Sequence, residues 1–430
     1  MVVGEMPETG VQQDAQRQVE TSEAGGIVIG ILSYNNIETI GNVIHVAQEG
    51  LSMHFPGSRN LLVHADGGSK DGTQALAEES VIDKKDFLQI AYPIYPLQRL
   101  SPEHFGVPGK ANAIKAICSV ASERNAEVCM VVDSNVRSVR QEWIRELVHP
   151  IIEGFDLTTP CYLRHKFDGA MLSGIVYPFT RALYGKRILQ PMGGEFAFSL
   201  KMVKYFLQQT QRDGETADSG SDLSITIQAV RGGFRLAQAF LGSRTLGDRE
   251  PAPEVSSILA QTLGSIFTEM DQTASIWQRV RGSEKVSSFG PCGDLDTAPV
   301  PVDINPMIQS FRLGYQSLQD IWRMVLPPAT LMELKRMSSQ TEETFRFDDS
   351  LWARVIYDFA LAWRIRIIDR DHLLKALTPL YLGWVASYIR AVRDADSKQT
   401  QALIERLSLA FEIQKSYFIS RWRWPDRFNP

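Results

Sequence analysis

The stretch VCMVVDSNVRSV, residues 128–139, decides how this chain is read. Val128, Cys129, Met130, Val131 and Val132 run without a polar break and stop at Asp133-Ser134-Asn135. A strand apolar on both faces belongs to a parallel sheet covered by helices on each side. Its end would deliver a carboxylate and an amide to the edge of that sheet. Upstream the same device recurs. Residues 26–32 (GIVIGIL) form a β-branched run closing at Ser33, residues 60–64 a second strand ending in ADGGSKDGT, and residues 87–92 a third. Between them, residues 37–49, 71–79 and 110–124 have helical spacing. The alternation predicts a doubly wound α/β sheet, in which ligands bind beyond the carboxyl ends of the strands. Ser33-Tyr34-Asn35-Asn36, Asp66-Gly67-Gly68 and Asp133-Ser134-Asn135 all fall at such ends. That convergence carries more than any one of the motifs.

The remainder of the chain sets the surroundings. At 430 residues it is too long for one ordinary core. After a Gly-, Ser-, Pro- and Asp-rich stretch at 282–302 the patterns turn helical: 305–326, 329–337, 348–367, 371–394 and 398–418. The expected division is a loose tail over 1–25, an α/β domain over 26–281, a linker or loop over 282–302 and a helical domain over 303–430. The apolar stripes of that last part read as core and oligomer interface rather than a cofactor box. A net charge of -5 excludes an overall field that would draw in nucleic acid or an anionic membrane. No apolar run is long enough to span a bilayer. The first residues lack a basic start followed by an apolar block, which points to a cytoplasmic protein. Cys118, Cys129, Cys161 and Cys292 show no metal-type spacing and read as reduced thiols. Asp71 reads as a helix cap, His165 equally as a ligand or a hydrogen-bonded structural side chain, and Trp422 and Trp424 as a terminal aromatic clasp or contact patch.

The motifs also carry a resemblance. VIGILSYNN and HADGGSKDGT, within residues 28–73, look like the opening of family-2-type glycosyltransferases with a GT-A fold. GVPGKAN (106–112), DSN (133–135), LRHKFD (163–168), QPMGGE (190–195) and SDLSIT (221–226) resemble the bacterial mannosylglycerate and glucosylglycerate synthase group within it. The resemblance implies a retaining hexosyltransferase that takes glucose or mannose from a nucleoside-diphosphate sugar to a small hydroxy acid such as glycerate. It places Ser33, Tyr34, Asn36 and Asp66 at the nucleotide, and Lys110 facing the nucleotide sugar. Asp133 and Asn135 stand in the motif that holds Mg2+ or Mn2+. Arg164 stands where an arginine pairs with the acceptor carboxylate, a task suited to a two-pronged guanidinium. Gly193, Gly194 and Glu195 line the sugar, and Asp222 lies near sugar and acceptor.

Two positions depart from that pattern. Relatives carry a second Asp where this chain has Asn135, and a metal-binding His where GSRTLGDREP has Leu246. An amide oxygen ligates a hard cation without charge, and leucine cannot ligate at all. The same loop offers Arg244 and Arg249, and Lys110, Arg137 and Lys166 are further cations of the region. One reading is therefore a transferase with weak or no metal dependence, its departing diphosphate steadied by cations around Arg244. The alternative is a catalytically silent GT-A-fold protein kept for nucleotide binding or as a partner subunit.

Overall fold

The structure, a computed structural model, describes residues 25–94, 107–212, 221–247 and 254–424. The expected tail thus lies almost wholly outside the described residues, as does Arg249. The chain forms two compact units that interleave in sequence. One comprises residues 1–162, 190–250 and 286–293, the other 163–189, 251–285 and 294–430. The linear division at 282–302 and this division by contacts cut the chain differently.

The first unit is built on an eight-stranded, mostly parallel sheet in the order β10-β8-β5-β7-β4-β1-β2-β3, with helices around it. Its strands are β1 (Ile27–Ser33), β2 (Asn60–Asp66), β3 (Phe87–Ala91), β4 (Val128–Asp133), β5 (Leu157–Leu163), β7 (Phe196–Ser199), β8 (Leu236–Ser243) and β10 (Ser287–Phe289). Every residue of β1 and β4 is buried, as covering on both faces requires. Helices α1 (Ile40–His54), α2 (Thr73–Glu79), α3 (Lys110–Glu123) and α4 (Gln141–Ile152) follow the strands in the anticipated alternation. This is a doubly wound α/β architecture, as the alternation of patterns predicts.

Register then places the chemistry. Along β1, Ser33 lies opposite Asp66 of β2, and Leu32 opposite Asp133 of β4. All three strands therefore deliver their last side chains to one edge. Strand β7 runs antiparallel to β4, pairing Val131 with Phe196 and Val128 with Ser199. Reversal is what matters here: the residues just before β7, Gly194 and Glu195, enter at the edge where β4 leaves. Period-2 and period-3.6 patterns cannot reveal that reversal.

The stretch at 282–302 is not all loop: β9 (Glu284–Lys285) pairs with β6 (Lys186–Arg187) in a two-stranded sheet of the second unit, and β10 extends the large sheet beside β8. The second unit is otherwise helical. Its principal helices are α5 (Tyr177–Tyr184), α8 (Val255–Gln272), α10 (Asn305–Ser317), α11 (Gln319–Val325), α12 (Pro328–Ser338), α13 (Asp349–Ile365), α14 (Arg370–Val392) and α15 (Ser397–Arg423). The single helix expected over 305–326 is two, because Leu318 leaves helical geometry (φ -111°, ψ 15°) between α10 and α11. Aromatic rings fill its core: Trp277 stacks on Phe418 with centroids 5.0 Å apart, and Phe418 on Tyr357 at 4.6 Å. Trp422 joins that stack edge-on at 5.1 Å from Trp277, whereas Trp424 is 62% exposed. The terminal tryptophans thus part company, one into the core and one into solvent. Among the described residues no helix is long and apolar enough to cross a membrane. Cys118, Cys129 and Cys161 are buried, Cys292 is exposed, and all four are free thiols.

Candidate active site at the carboxyl edge of the sheet

Two paired charges hold the centre of the edge. The Lys110 ammonium, at the start of α3, lies 2.6 Å from Asp222 Oδ1 and donates to the Gly194 carbonyl at 3.0 Å. Asp222 opens helix α7 (Asp222–Arg231), where Ser221 caps the first turn by accepting from the Ser224 N–H. A carboxylate suits that end of a helix. The second pair joins Arg244, just past β8, to Glu195, just before β7, with Nη2 2.8 Å from Oε1. Tyr162 of β5 donates its hydroxyl to the other Glu195 oxygen and lies under the guanidinium, 5.4 Å from ring centroid to Arg244 Cζ.

Asp133 sits among these groups. Its carboxylate acts electrostatically on Lys110, Glu195 and Arg244. One of its oxygens accepts the Asn135 N–H at 2.9 Å, a turn that fixes the end of β4. Burial opposes the charge on Lys110, but Asp222 and Asp133 outweigh it, so the ammonium is held above its ordinary range and stays charged. Burial pushes the Glu195 carboxyl up, against Arg244 and Tyr162, which pull it down. The Arg244 guanidinium is held more firmly charged than usual despite its burial, chiefly by Glu195. Its Nε has no hydrogen-bond partner among the described residues, a donor left over beside the pair.

The loop bearing Arg244 is fastened to the end of β4 by its backbone. Arg137 N–H donates to the Thr245 carbonyl at 2.9 Å, Gly247 N–H to the Asn135 carbonyl at 2.8 Å, and Val136 bridges to Leu246. The two glycines have structural reasons of their own. A Cβ on Gly193 would come within 2.1 Å of the Pro160 ring. Gly194 has φ +101°, and a Cβ there would meet Arg244 Nη2 at 2.5 Å. Only glycine takes that backbone while admitting the guanidinium.

The first two strand ends do a different job. Asp66 accepts from Ser33 Oγ at 2.7 Å, Ser69 Oγ at 2.5 Å, Gln74 Nε2 at 2.6 Å and the N–H groups of Gly68 and Ser69 at 2.8 Å each. Its acceptor capacity is used in pinning its own loop, so contact with a nucleotide would require giving up one of these bonds. Ser33 is likewise enclosed, bonded also to His64 Nε2 at 2.7 Å. Asn36 Oδ1 accepts from Tyr34 N–H at 2.9 Å and from Ser134 Oγ at 2.8 Å, tying the first strand end to the third. Tyr34 is half-buried. Asp71 accepts from the N–H and hydroxyl of Thr73 and from the Ile37 N–H, so it ties the start of α2 to the first loop, while the N-cap position itself is Gly72.

Two of the anticipated cations have partners of their own. Arg137 pairs with Glu38 at 3.1 Å on the surface. Lys166, in the second unit, gives its ammonium to the carbonyls of Arg393 (2.7 Å) and Ala395 (3.2 Å) just past α14. Arg164 directly follows the last residue of β5, with its side chain against Gly169. His165 is structural: its Nδ1 accepts the Phe167 N–H at 3.2 Å, so Nε2 donates to the Ala298 carbonyl at 2.7 Å. Tyr162 was not foreseen. Nothing in TPCYL marks it, and only the pairing of β5 with β7 brings it to Glu195.

For a metal, the donor set is thin. Among the described residues no group of three or more His, Cys, Asp or Glu side chains is arranged to hold one. Asn135 Oδ1 lies against the Gly247 position, and Leu246 is 40% exposed. Asp133 alone fits the mode in which Mg2+ keeps its waters and is held by one or two carboxylates together with substrate phosphates.

Neither a protein-family model nor a curated protein matches the chain. Among solved structures, glucosyl-3-phosphoglycerate synthase from Mycobacterium tuberculosis with Mn2+, UDP and glucosyl-3-phosphoglycerate shares 19% identity at a TM-score of 0.40, covering 63% of this chain and 87% of that one. The same enzyme with Mg2+ and UDP gives 19% and 0.41 over 63% of this chain and 86% of that one. A further mycobacterial protein gives 21% and 0.42 over 60% and 77%. Likeness at this level transfers no site residue. The fold rests on the sheet described above.

Proposed function

We propose that the chain is a glycosyltransferase that moves a hexose from a nucleoside-diphosphate sugar to a small hydroxy acid, glycerate or its phosphate ester, with retention at the anomeric carbon. One observation carries the reading: Lys110–Asp222 and Arg244–Glu195 meet around Asp133 at the carboxyl edge of a doubly wound sheet. A ligand-free scaffold gains little from burying two ion pairs there, since such pairs seldom stabilise a fold better than packed apolar groups.

Charge alters the metal-free version of this reading. Among the described residues Lys110 and Arg244 are already matched by Asp222 and Glu195, and Asp133 leaves one negative charge in excess. A bare diphosphate would meet that excess. A bound Mg2+ or Mn2+ would reverse it and neutralise charge on the departing diphosphate. Lys110 then holds the Gly194 carbonyl and Asp222 in place beside the sugar. Arg244 offers its remaining Nε donor to the leaving group. Asp222, fixed by Lys110, orients sugar or acceptor rather than attacking; retention then follows from same-face attack by the acceptor hydroxyl.

The mycobacterial synthase is described with Mn2+, UDP-glucose and phosphoglyceric acid, which makes those the first compounds to assay. UDP-, GDP- and ADP-hexoses are incubated with glycerate or 3-phosphoglycerate, with Mg2+ or with EDTA, and product is read by mass spectrometry. The reading predicts glycoside formation with one donor, faster with metal. No product with any pair, although the nucleotide alone binds, would sink catalysis. That result would favour the nucleotide-binding reading, to which Asn135 and the exposed Leu246 lend weight.

A further inference from the structure

We infer a binding site for a small phosphate monoester within the helical unit. A cavity of about 320 Å³ opens there between residues 345–349, α14 and α15. Its floor is aromatic and closed: Phe345, Phe347 and Trp384 are 1%, 3% and 4% exposed. Trp384 is held flat between Trp352, 5.5 Å away at 14°, and Tyr388, 5.3 Å away at 15°. The volume lies at the lower end of the range that small-molecule sites occupy, and an aromatic floor with a few polar groups above it is their usual lining.

Arginines line the rim. Arg346, Arg390 and Arg406 all border the cavity, and Asp349 is the one carboxylate among the lining residues. Asp349 answers only Arg406, whose Nε stands 2.6 Å from its Oδ2. Arg390 donates Nη1 to the Glu342 carbonyl at 2.7 Å, which steadies its guanidinium without cancelling its charge. The Arg346 backbone N–H is held by Gln340 Oε1 at 3.0 Å, while its guanidinium has no hydrogen bond or ion pair among the described residues. Two positive charges thus stand uncompensated over an apolar floor. A phosphate dianion matches both in charge, and guanidinium forks match its oxygens in geometry. An apolar body attached to that phosphate would lie against Leu403 and Ile404, the half-buried aliphatic side chains of the lining. An uncharged aromatic would leave the arginines unanswered, and inorganic phosphate would leave those aliphatic side chains in water.

The test titrates the full chain with phenyl phosphate, inorganic phosphate and benzyl alcohol by calorimetry. Phenyl phosphate should bind most tightly, at one site. Arg346→Gln together with Arg390→Gln should weaken it by roughly tenfold or more, as loss of charged hydrogen bonds does. Arg346→Gln alone, at an exposed position that folding does not need, should weaken it in the same direction. Replacing both arginines by Lys should restore part of the loss. No binding of phenyl phosphate to the parent protein, or equal binding to the double glutamine variant, overturns the proposal.

Discussion

Arg244 illustrates how one side chain serves two ends. Its Nη2 holds Glu195 while Nε has no partner among the described residues, so the guanidinium is both fixed and available. Arg244→Met should lower the transfer rate at saturating donor by about a hundredfold or more, the scale of losing a donor aimed at developing negative charge. The same change strips Glu195 of its main counter-charge, so its carboxyl should titrate still higher, which carbon-detected NMR would show. Asp66 tests the acid side of stability. Burial would raise its carboxyl, but hydrogen bonds from Ser69, Ser33 and Gln74 prevail and hold it below the ordinary range. A folded-state value below the unfolded one means stability that is present above about pH 4 and lost as pH falls through the folded value. Asp66→Asn should cost about 1–3 kcal/mol at neutral pH and flatten the acid limb of the denaturation curve.

At the scale of elements, close approach decides. Residues Leu172–Val176 form a π-helical turn ahead of α5, and the Gly174 carbonyl accepts the Trp352 indole N–H at 2.8 Å. A Cβ on Gly174 would stand 2.1 Å from Trp384 Cη2. Gly174→Ala should therefore destabilise the helical unit by about 3 kcal/mol through overpacking, read as a fall in the urea midpoint. A second case joins α13 to α15. Asp358 is buried, 3.1 Å from Arg421 Nη1, with the Tyr417 hydroxyl donating to both of its oxygens. Asp358→Ala removes the carboxyl that faces a buried guanidinium and should cost about 3–5 kcal/mol, whereas Asp358→Leu with Arg421→Met should come close to neutral. Equal losses from both variants would show that the stability lies in the pair as a whole rather than in the balance of its charges. Where β7 reverses against β4 the element scale also sets the active edge, since a parallel β7 would bring Ser199 rather than Glu195 to Asp133.

For the whole molecule, the cluster at the sheet edge predicts how stability answers to ligand. With one negative charge in excess among the described residues of that cluster, UDP should raise the melting temperature far more in Mg2+ than in EDTA. Ligand at about 100 times its dissociation constant adds roughly 2.7 kcal/mol, well within reach of a thermal shift. An equal shift in EDTA would return the leaving group to Lys110 and Arg244 alone.

Local pattern carried much of this protein. Continuous apolar runs at 26–32 and 128–132 could only be strands covered on both faces, and helical spacing between them left a doubly wound sheet as the consistent topology. Those features are local because side-chain period follows backbone geometry. The long helices after residue 303 were legible for the same reason. Long-range pairing was not. Antiparallel β7 and the short strands at 284–289 depend on partners far along the chain. So does the site: Tyr162 under Arg244, Glu195 beside Asp133 and Lys110 locked to Asp222 were brought together by register and strand direction. A sequence states which charges are present. Only the folded chain decides which of them are already spent on one another, because a buried ion pair is a fact of distance.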